Sequence, residues 1–169
     1  MEFELLGWPD DGPTLRLDYR QFSYAGKFVM SNTGKAVIRE PNAPTGSGDS
    51  ENGENERESE FDEDILAAVA FNADRTDPET LWLRYVTVRN DRRGEGLGPE
   101  LCLFLAGRAA ERGYGRLRIA VNNPFAYEAL YRAGFAYTDE ETGLAELVLE
   151  RPADTPKPDR SEARYQRGL

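Results

Sequence analysis

Three observations predict a mixed α/β (α+β) domain. Leu81–Val88, LWLRYVTV, is dense in branched and aromatic residues and reads as a strand. A glycine loop, Asn90–Gly98, follows it, and Leu101, Phe104, Leu105 and Ala109 then recur at helical spacing as far as Gly113. A second strand candidate, Leu117–Val121, comes next. A strand–loop–helix–strand unit belongs to the mixed classes and to no other. With 169 residues the chain is one domain's worth.

The other elements follow in chain order. Asp18–Ala25 reads as a short helix with Tyr19 and Phe22 on one face. Phe28–Ser31 and Lys35–Arg39 flank Asn32-Thr33-Gly34, a hairpin signal. Residues 41–64 break the composition: from Asp49 to Asp64 there are nine acids and one arginine, with no apolar residue before Phe61. Such a stretch buries too little to offset its ordering entropy, so a disordered acidic insertion is expected at 41–64. Ile65–Phe71 is a buried strand candidate. Pro99 suits a first helical turn, where its missing N–H costs nothing. Pro124–Ala133 reads as a helix stopped by Gly134, and Phe135–Thr138 and Ala145–Glu150 as final strands around a turn at Glu141–Gly143. The expected domain is 1–150, followed by a flexible Pro-rich tail at 151–169.

Composition narrows the function classes. Asp and Glu number 31 against 21 Lys and Arg, a net charge of -10. That balance is a poor match for nucleic acid or an anionic membrane. No apolar run approaches the ~18 residues of a membrane span, and nothing at the N-terminus marks export; a cytoplasmic location is expected. Only Lys27, Lys35 and Lys157 are lysines; an arginine-rich, strongly acidic chain suits a salt-rich, halophilic cytoplasm, and a GC-rich genome, whose codons favour arginine, is the alternative reading. The single cysteine, Cys102, excludes an internal disulfide and a cysteine-cluster zinc site. The lack of histidine removes His-based triads. No metal site is expected.

Local chemistry concentrates in Arg92-Arg93-Gly94-Glu95-Gly96-Leu97-Gly98-Pro99. Three alternate glycines between a strand and a helix leave backbone N–H groups exposed, and the helix adds its positive end, so the loop should hold an anion such as phosphate. Residues 84–118 contain eight arginines and four acids, against the sign of the whole chain. The loop is not a P-loop, since no Gly-Lys-Ser/Thr follows. Nor is it a dinucleotide fingerprint, since GxGxxG fails and Leu117–Val121 leads into Asn122 rather than an acid.

Val88–Gly98 resembles motif A of the GNAT superfamily of acyl-CoA N-acyltransferases, Gln/Arg-x-x-Gly-x-Gly/Ala, with Arg93, Gly96 and Gly98 in the core positions. Asn123 to Phe135 resembles the family's Asn-x-x-Ala-x-x-x-x-Tyr…Gly-Phe block. The resemblance covers roughly residues 65–150. It implies a mixed, mostly antiparallel sheet with flanking helices, and transfer of an acetyl group from acetyl-CoA to an amine acceptor. It places the pyrophosphate on the amides of Arg93, Gly94, Glu95, Gly96, Leu97 and Gly98. It runs the pantetheine along Val86–Val88, with the Val88 N–H as oxyanion donor and Asn123 on the pantetheine arm. Tyr131 falls at the general-acid position, with aromatic packing as its alternative. The family's strand glutamate has no counterpart, because Trp82 stands there. Glu79 is the nearest carboxylate for a general base; ordered water or an amine of low pKa stand beside it. Tyr19, Phe22, Tyr24 and Phe28 are candidates for the acceptor wall. A non-catalytic acyl-CoA-binding module is the alternative function.

Overall fold

A computed structural model describes residues 1–40 and 61–153. Seven strands form one sheet: β1 (Glu2–Gly7), β2 (Gly34–Arg39), β3 (Ile65–Ala73), β4 (Thr80–Val88), β5 (Arg116–Val121), β6 (Ala136–Glu141) and β7 (Leu147–Pro152). Their spatial order is β1-β2-β3-β4-β5-β7-β6. Every neighbouring pair is antiparallel except β4 and β5. That parallel pair needs a crossover, supplied by helix α1 (Leu97–Arg112). Helix α2 (Pro124–Arg132) joins β5 to β6. The expected mixed, mostly antiparallel sheet with flanking helices is what the chain forms.

The two faces of the sheet are covered differently. One carries Ala36, Ile38, Val69, Phe71, Leu81, Leu117 and Ile119, packed against Leu101, Leu105 and Ala109 of α1 and Leu130 of α2. The other carries Val37, Ile65, Ala68 and Ala70 under Leu15, Leu17, Phe22 and Phe28. The period-2 alternation within β2 and β3 thus serves two cores. Gly34 marks a close approach: a Cβ there would lie 2.5 Å from Phe71 Cε2 and 2.7 Å from the Gly7 carbonyl oxygen.

The segment over the second face is irregular, held by contacts distant in sequence. Asp18–Ala25 is a set of turns rather than the expected helix. Phe28 lies in a 3-10 turn, Ala25–Val29, not in a strand, so Asn32-Thr33-Gly34 joins no hairpin; β2 pairs with β1 and β3 instead. Lys35 explains how this segment is held. Its side chain is fully buried, and Nζ donates to the carbonyls of Pro13 (2.8 Å), Met30 (2.6 Å) and Thr33 (3.0 Å) and to Thr33 Oγ1 (2.9 Å). Burial pushes its pKa down to about 8, against the pull of the four oxygens around it.

Three other expectations change. β1 was not anticipated, although Phe3 and Leu5 alternate with Glu2 and Glu4 and pack on the main core. The end of the acidic insertion is ordered: the Arg16 and Asp62 backbones bond to each other and to the Asp62 carboxylate, and Phe61 meets Tyr19 edge-on. The remainder of that expectation, 41–60, lies outside the described residues. The tail begins later than 151, because β7 runs to Pro152 and buried Ala153 donates its N–H to the Gly115 carbonyl; the rest of it also lies outside them.

Candidate functional site: a gap between two parallel strands

A bulge in β4 and an opening beside it create the site. Ala70 pairs with Tyr85 and Phe71 with Leu83, so Arg84 is an extra residue. Such an insertion switches which side chains face which way. Leu81 and Leu83 point to the helices before it, Val86 and Val88 after it, and Tyr85 joins the opposite core. Pairing between β4 and β5 runs only from Thr80–Arg116 to Leu83–Ile119, and beyond it the strands part. Arg89 donates its N–H to the Leu66 carbonyl on the β3 side (2.9 Å). Backbone groups alternate along a strand, so those of Val86 and Val88 face the gap.

The gap holds a crevice of about 280 Å³ that reaches both faces. Val86, Gly98, Asn123 and Leu130 border it from the helix side, and Tyr24, Arg84, Tyr85 and Glu146 from the other. On that second side lies a cavity of about 600 Å³ that shares Arg84, Tyr85, Ala120 and Glu146 with the crevice. Tyr24, whose ring lies 5.5 Å from that of Tyr85, is held at φ 63°, a left-handed conformation that costs a tyrosine energy.

The glycine loop stands at the helix-side mouth. Gly94 (φ 86°) and Gly96 (φ 82°) adopt left-handed backbone, which explains glycine at both positions. Among the described residues, no acceptor meets the N–H groups of Gly94, Glu95 or Gly96. Leu97 and Gly98 begin α1, where N–H groups have no intrahelical partner. Two of the expected ligands contribute backbone only: the Leu97 side chain is buried in the core, and Glu95 is paired to Arg92 at 2.9 Å. The arginine excess is also smaller than its count suggests. Arg89 pairs with Asp91 and Glu40, Arg92 with Glu95 and Glu40, Arg108 with Glu111, Arg116 with Asp77 and Glu150, and Arg118 with Glu150 and Glu140. Among the described residues Arg93 has no ion pair, and its Nη2 donates to Ser23 Oγ (3.1 Å).

Asn123 caps α2, its Oδ1 accepting the Ala126 N–H at 2.8 Å, while it lines the crevice. Tyr131 is not brought there. Leu130 occupies the crevice-facing position, and Tyr131, about 100° further round the helix, is half exposed. Glu79 is also displaced. It precedes the paired end of β4, where its carbonyl accepts the N–H groups of Gly115 and Arg116; Val86 lies seven residues along a strand rising ~3.3 Å per residue. Cys102 is fully buried and its thiol is pushed up to about 12, so it is no nucleophile. Of the proposed acceptor wall, Tyr24 lines the crevice, Phe22 and Phe28 are core, and Tyr19 is exposed beside Phe61. Arg84 and Glu146, which also line the crevice, carry no sequence signal, since a bulge and a loop before β7 leave no periodicity for either.

The family model described as Acetyltransferase (GNAT) family matches residues 52–135. The fold is similar to that of nourseothricin acetyltransferase (TM-score 0.57, 17% identity, 90% of this chain and 98% of that one). It is similar as well to an N-acetyltransferase from Staphylococcus aureus Mu50 (TM-score 0.51, 17% identity, 72% and 68%). A GCN5-related N-acetyltransferase from Kribbella flavida aligns comparably (TM-score 0.51, 17% identity, 71% and 67%). No curated protein sequence matches the chain. Residues 52–135 thus match the GNAT acetyltransferase family model, and the sheet with its one opened parallel pair has the fold of these acetyltransferases.

Proposed function

We propose that the protein is an N-acetyltransferase that moves an acetyl group from acetyl-CoA to an amine by direct attack. The observation that carries this reading is the gap between β4 and β5, with unpaired loop amides at one mouth and a separate cavity at the other. The amides of Gly94 to Gly98 and the positive end of α1 suit the pyrophosphate, and Arg93 supplies a cation without an ion pair among the described residues. The Val86 and Val88 backbone suits the pantetheine amides, with the Val88 N–H set to polarise the thioester carbonyl, a contribution of about 3 kcal/mol for one such donor. An amine entering from the opposite cavity forms the C–N bond as the C–S bond breaks; one ammonium proton leaves before attack and a second ends on the thiolate.

Glu146 replaces Glu79 as the carboxylate for that first proton, since it lines both the crevice and the cavity. Tyr131 is no longer assigned the second: the thiolate takes its proton from the amine through solvent or Glu146. The position of Tyr131 favours the alternative, a non-catalytic acyl-CoA-binding module, and the crevice carboxylate speaks against it. The salt-rich cytoplasmic setting belongs to the same proposal and rests on the charge balance alone. Release of CoA thiol with a panel of amines, at low and at high KCl, is the test. Acetyl-CoA binding with no thiol release for any amine at either salt would favour the binding module.

A further inference from the structure

The cavity on the acceptor side has a charge pattern that narrows the amine. Its charged residues are Lys27, Arg84 and Glu146, two cations and one carboxylate in a protein whose net charge is -10. Neither cation has an ion pair among the described residues. Arg84 donates Nε to Asn72 Oδ1 at 2.7 Å, and its guanidinium sits 5.1 Å from the Trp82 ring centre. Its two Nη groups bond to no described residue, and burial pushes its pKa down from the usual guanidinium range. Lys27 Nζ stands 5.7 Å from the Tyr85 ring centre. Asp74 is the nearby acid, but its oxygens are taken by the Trp82 indole N–H (2.7 Å), by Thr76 and by the Asp77 N–H. Glu146 lies where cavity and crevice meet, one oxygen accepting from Thr142 Oγ1 at 3.2 Å.

We propose that the acceptor is a compact zwitterion, a primary amine that also carries a carboxylate or a similar oxyanion, held by Arg84 and Lys27 with its amino group toward Glu146. A planar guanidinium with both Nη groups open matches a two-oxygen anion, and Lys27 adds a second positive charge. A simple alkylamine or polyamine would bring its own positive charges against both cations, a juxtaposition that disfavours it. The volume of about 600 Å³ suits a small molecule. The bulge that sets Arg84 beside the gap therefore places the anion site one residue from Tyr85 and two from Val86, next to the transfer site.

This inference rests on the acyltransferase reading, and the experiment separates the two. Matched pairs of amines are assayed for thiol release: amino acids, aminophosphonates, and the same molecules with the acid group removed or converted to an amide. Acid-bearing members should exceed their neutral counterparts at least ~30-fold in kcat/KM. In Arg84→Gln, shown folded by its unfolding curve, that preference should fall to within a few-fold through a raised KM, while acetyl-CoA affinity by calorimetry stays unchanged. The carboxylate and phosphonate arms decide which oxyanion is the natural one. Equal or better turnover of the neutral amines, a polyamine or a peptide would overturn this inference and leave acyl transfer standing, as would an intact preference in Arg84→Gln. Failure to bind acetyl-CoA would overturn the acyltransferase reading and this one with it.

Discussion

The two faces of the sheet are held by different kinds of information. On the helix face, α1 and α2 are periodic, begin after a glycine loop and an asparagine cap, and pack on alternate strand residues. On the other face, residues 13–33 run without regular structure longer than a 3-10 turn, fastened by one buried lysine to three carbonyls and a hydroxyl. The first face carries the proposed donor site and the second the proposed acceptor cavity. The proposed donor site is thus built from local backbone geometry, and the proposed acceptor cavity from contacts between residues far apart in the chain. A fold arranged this way can change its acceptor without disturbing its donor.

Substitutions on each side should break this division in order of size. Lys35→Met should have the largest effect on stability, because it strands buried carbonyls at a cost of about 1–3 kcal/mol for each unsatisfied group. We expect a loss of at least ~3 kcal/mol in urea unfolding, with the acceptor cavity lost before the donor site. If calorimetry shows acetyl-CoA affinity falling as fast as amine affinity in the surviving folded fraction, the two faces are not separable. Gly96→Val comes next. Its left-handed backbone opposes a branched side chain, and the loop amides would be re-aimed, so acetyl-CoA affinity should drop by ~10²-fold while the fold persists. A folded variant with native affinity would remove the loop from the donor site.

Glu146→Gln and Tyr131→Phe sharpen the comparison further. The first should cut kcat by ~10²-fold, the scale of a positioned acid or base, with acetyl-CoA affinity unchanged. The second should leave kcat within ~3-fold, because the half-exposed Tyr131 does not border the crevice. A large kcat loss in Tyr131→Phe would restore the role that motif resemblance gives it. Deleting Gly46–Glu60 should change least, shifting Tm by no more than about 2 °C, since the composition of these residues offers no apolar side chain to a core and chain length contributes slowly to closure entropy.

What could be read from the sequence follows the same division. The strands β3, β4 and β5, both helices and the glycine loop announce themselves through periodicity, branched residues and cap chemistry, all local signals. The N-terminal third does not. Asp18–Ala25 has a helical spacing of aromatics, yet Phe22 and Phe28 are placed by the sheet beneath them and Lys35 by carbonyls up to 22 residues away. β1 carries a real alternation, obscured by the charge of Glu2 and Glu4. Asn123 was legible as a helix cap because a cap has a fixed position, whereas the side of the helix that Tyr131 takes was not, because one helical residue is a 100° rotation. Glu79, the nearest carboxylate in sequence, stands at the paired end of β4, away from the gap, because nearness along a strand is not nearness to its far end. Arg84 and Glu146 depend on a bulge register and on a loop meeting β4 across β5, neither of which has a local signature.

The opened β4–β5 pair and the glycine loop together make up the proposed acyl-donor site on the helix face. The most direct test is titration of acetyl-CoA into the nitrogen-15-labelled protein, following backbone amide shifts. The largest changes should fall on Gly94, Glu95, Gly96, Leu97, Gly98, Val86, Val88 and Asn123, with Phe22, Phe28 and the buried strand β2 left almost unmoved. Saturable binding with its shifts centred on residues 13–33, or no binding at millimolar acetyl-CoA, would contradict it.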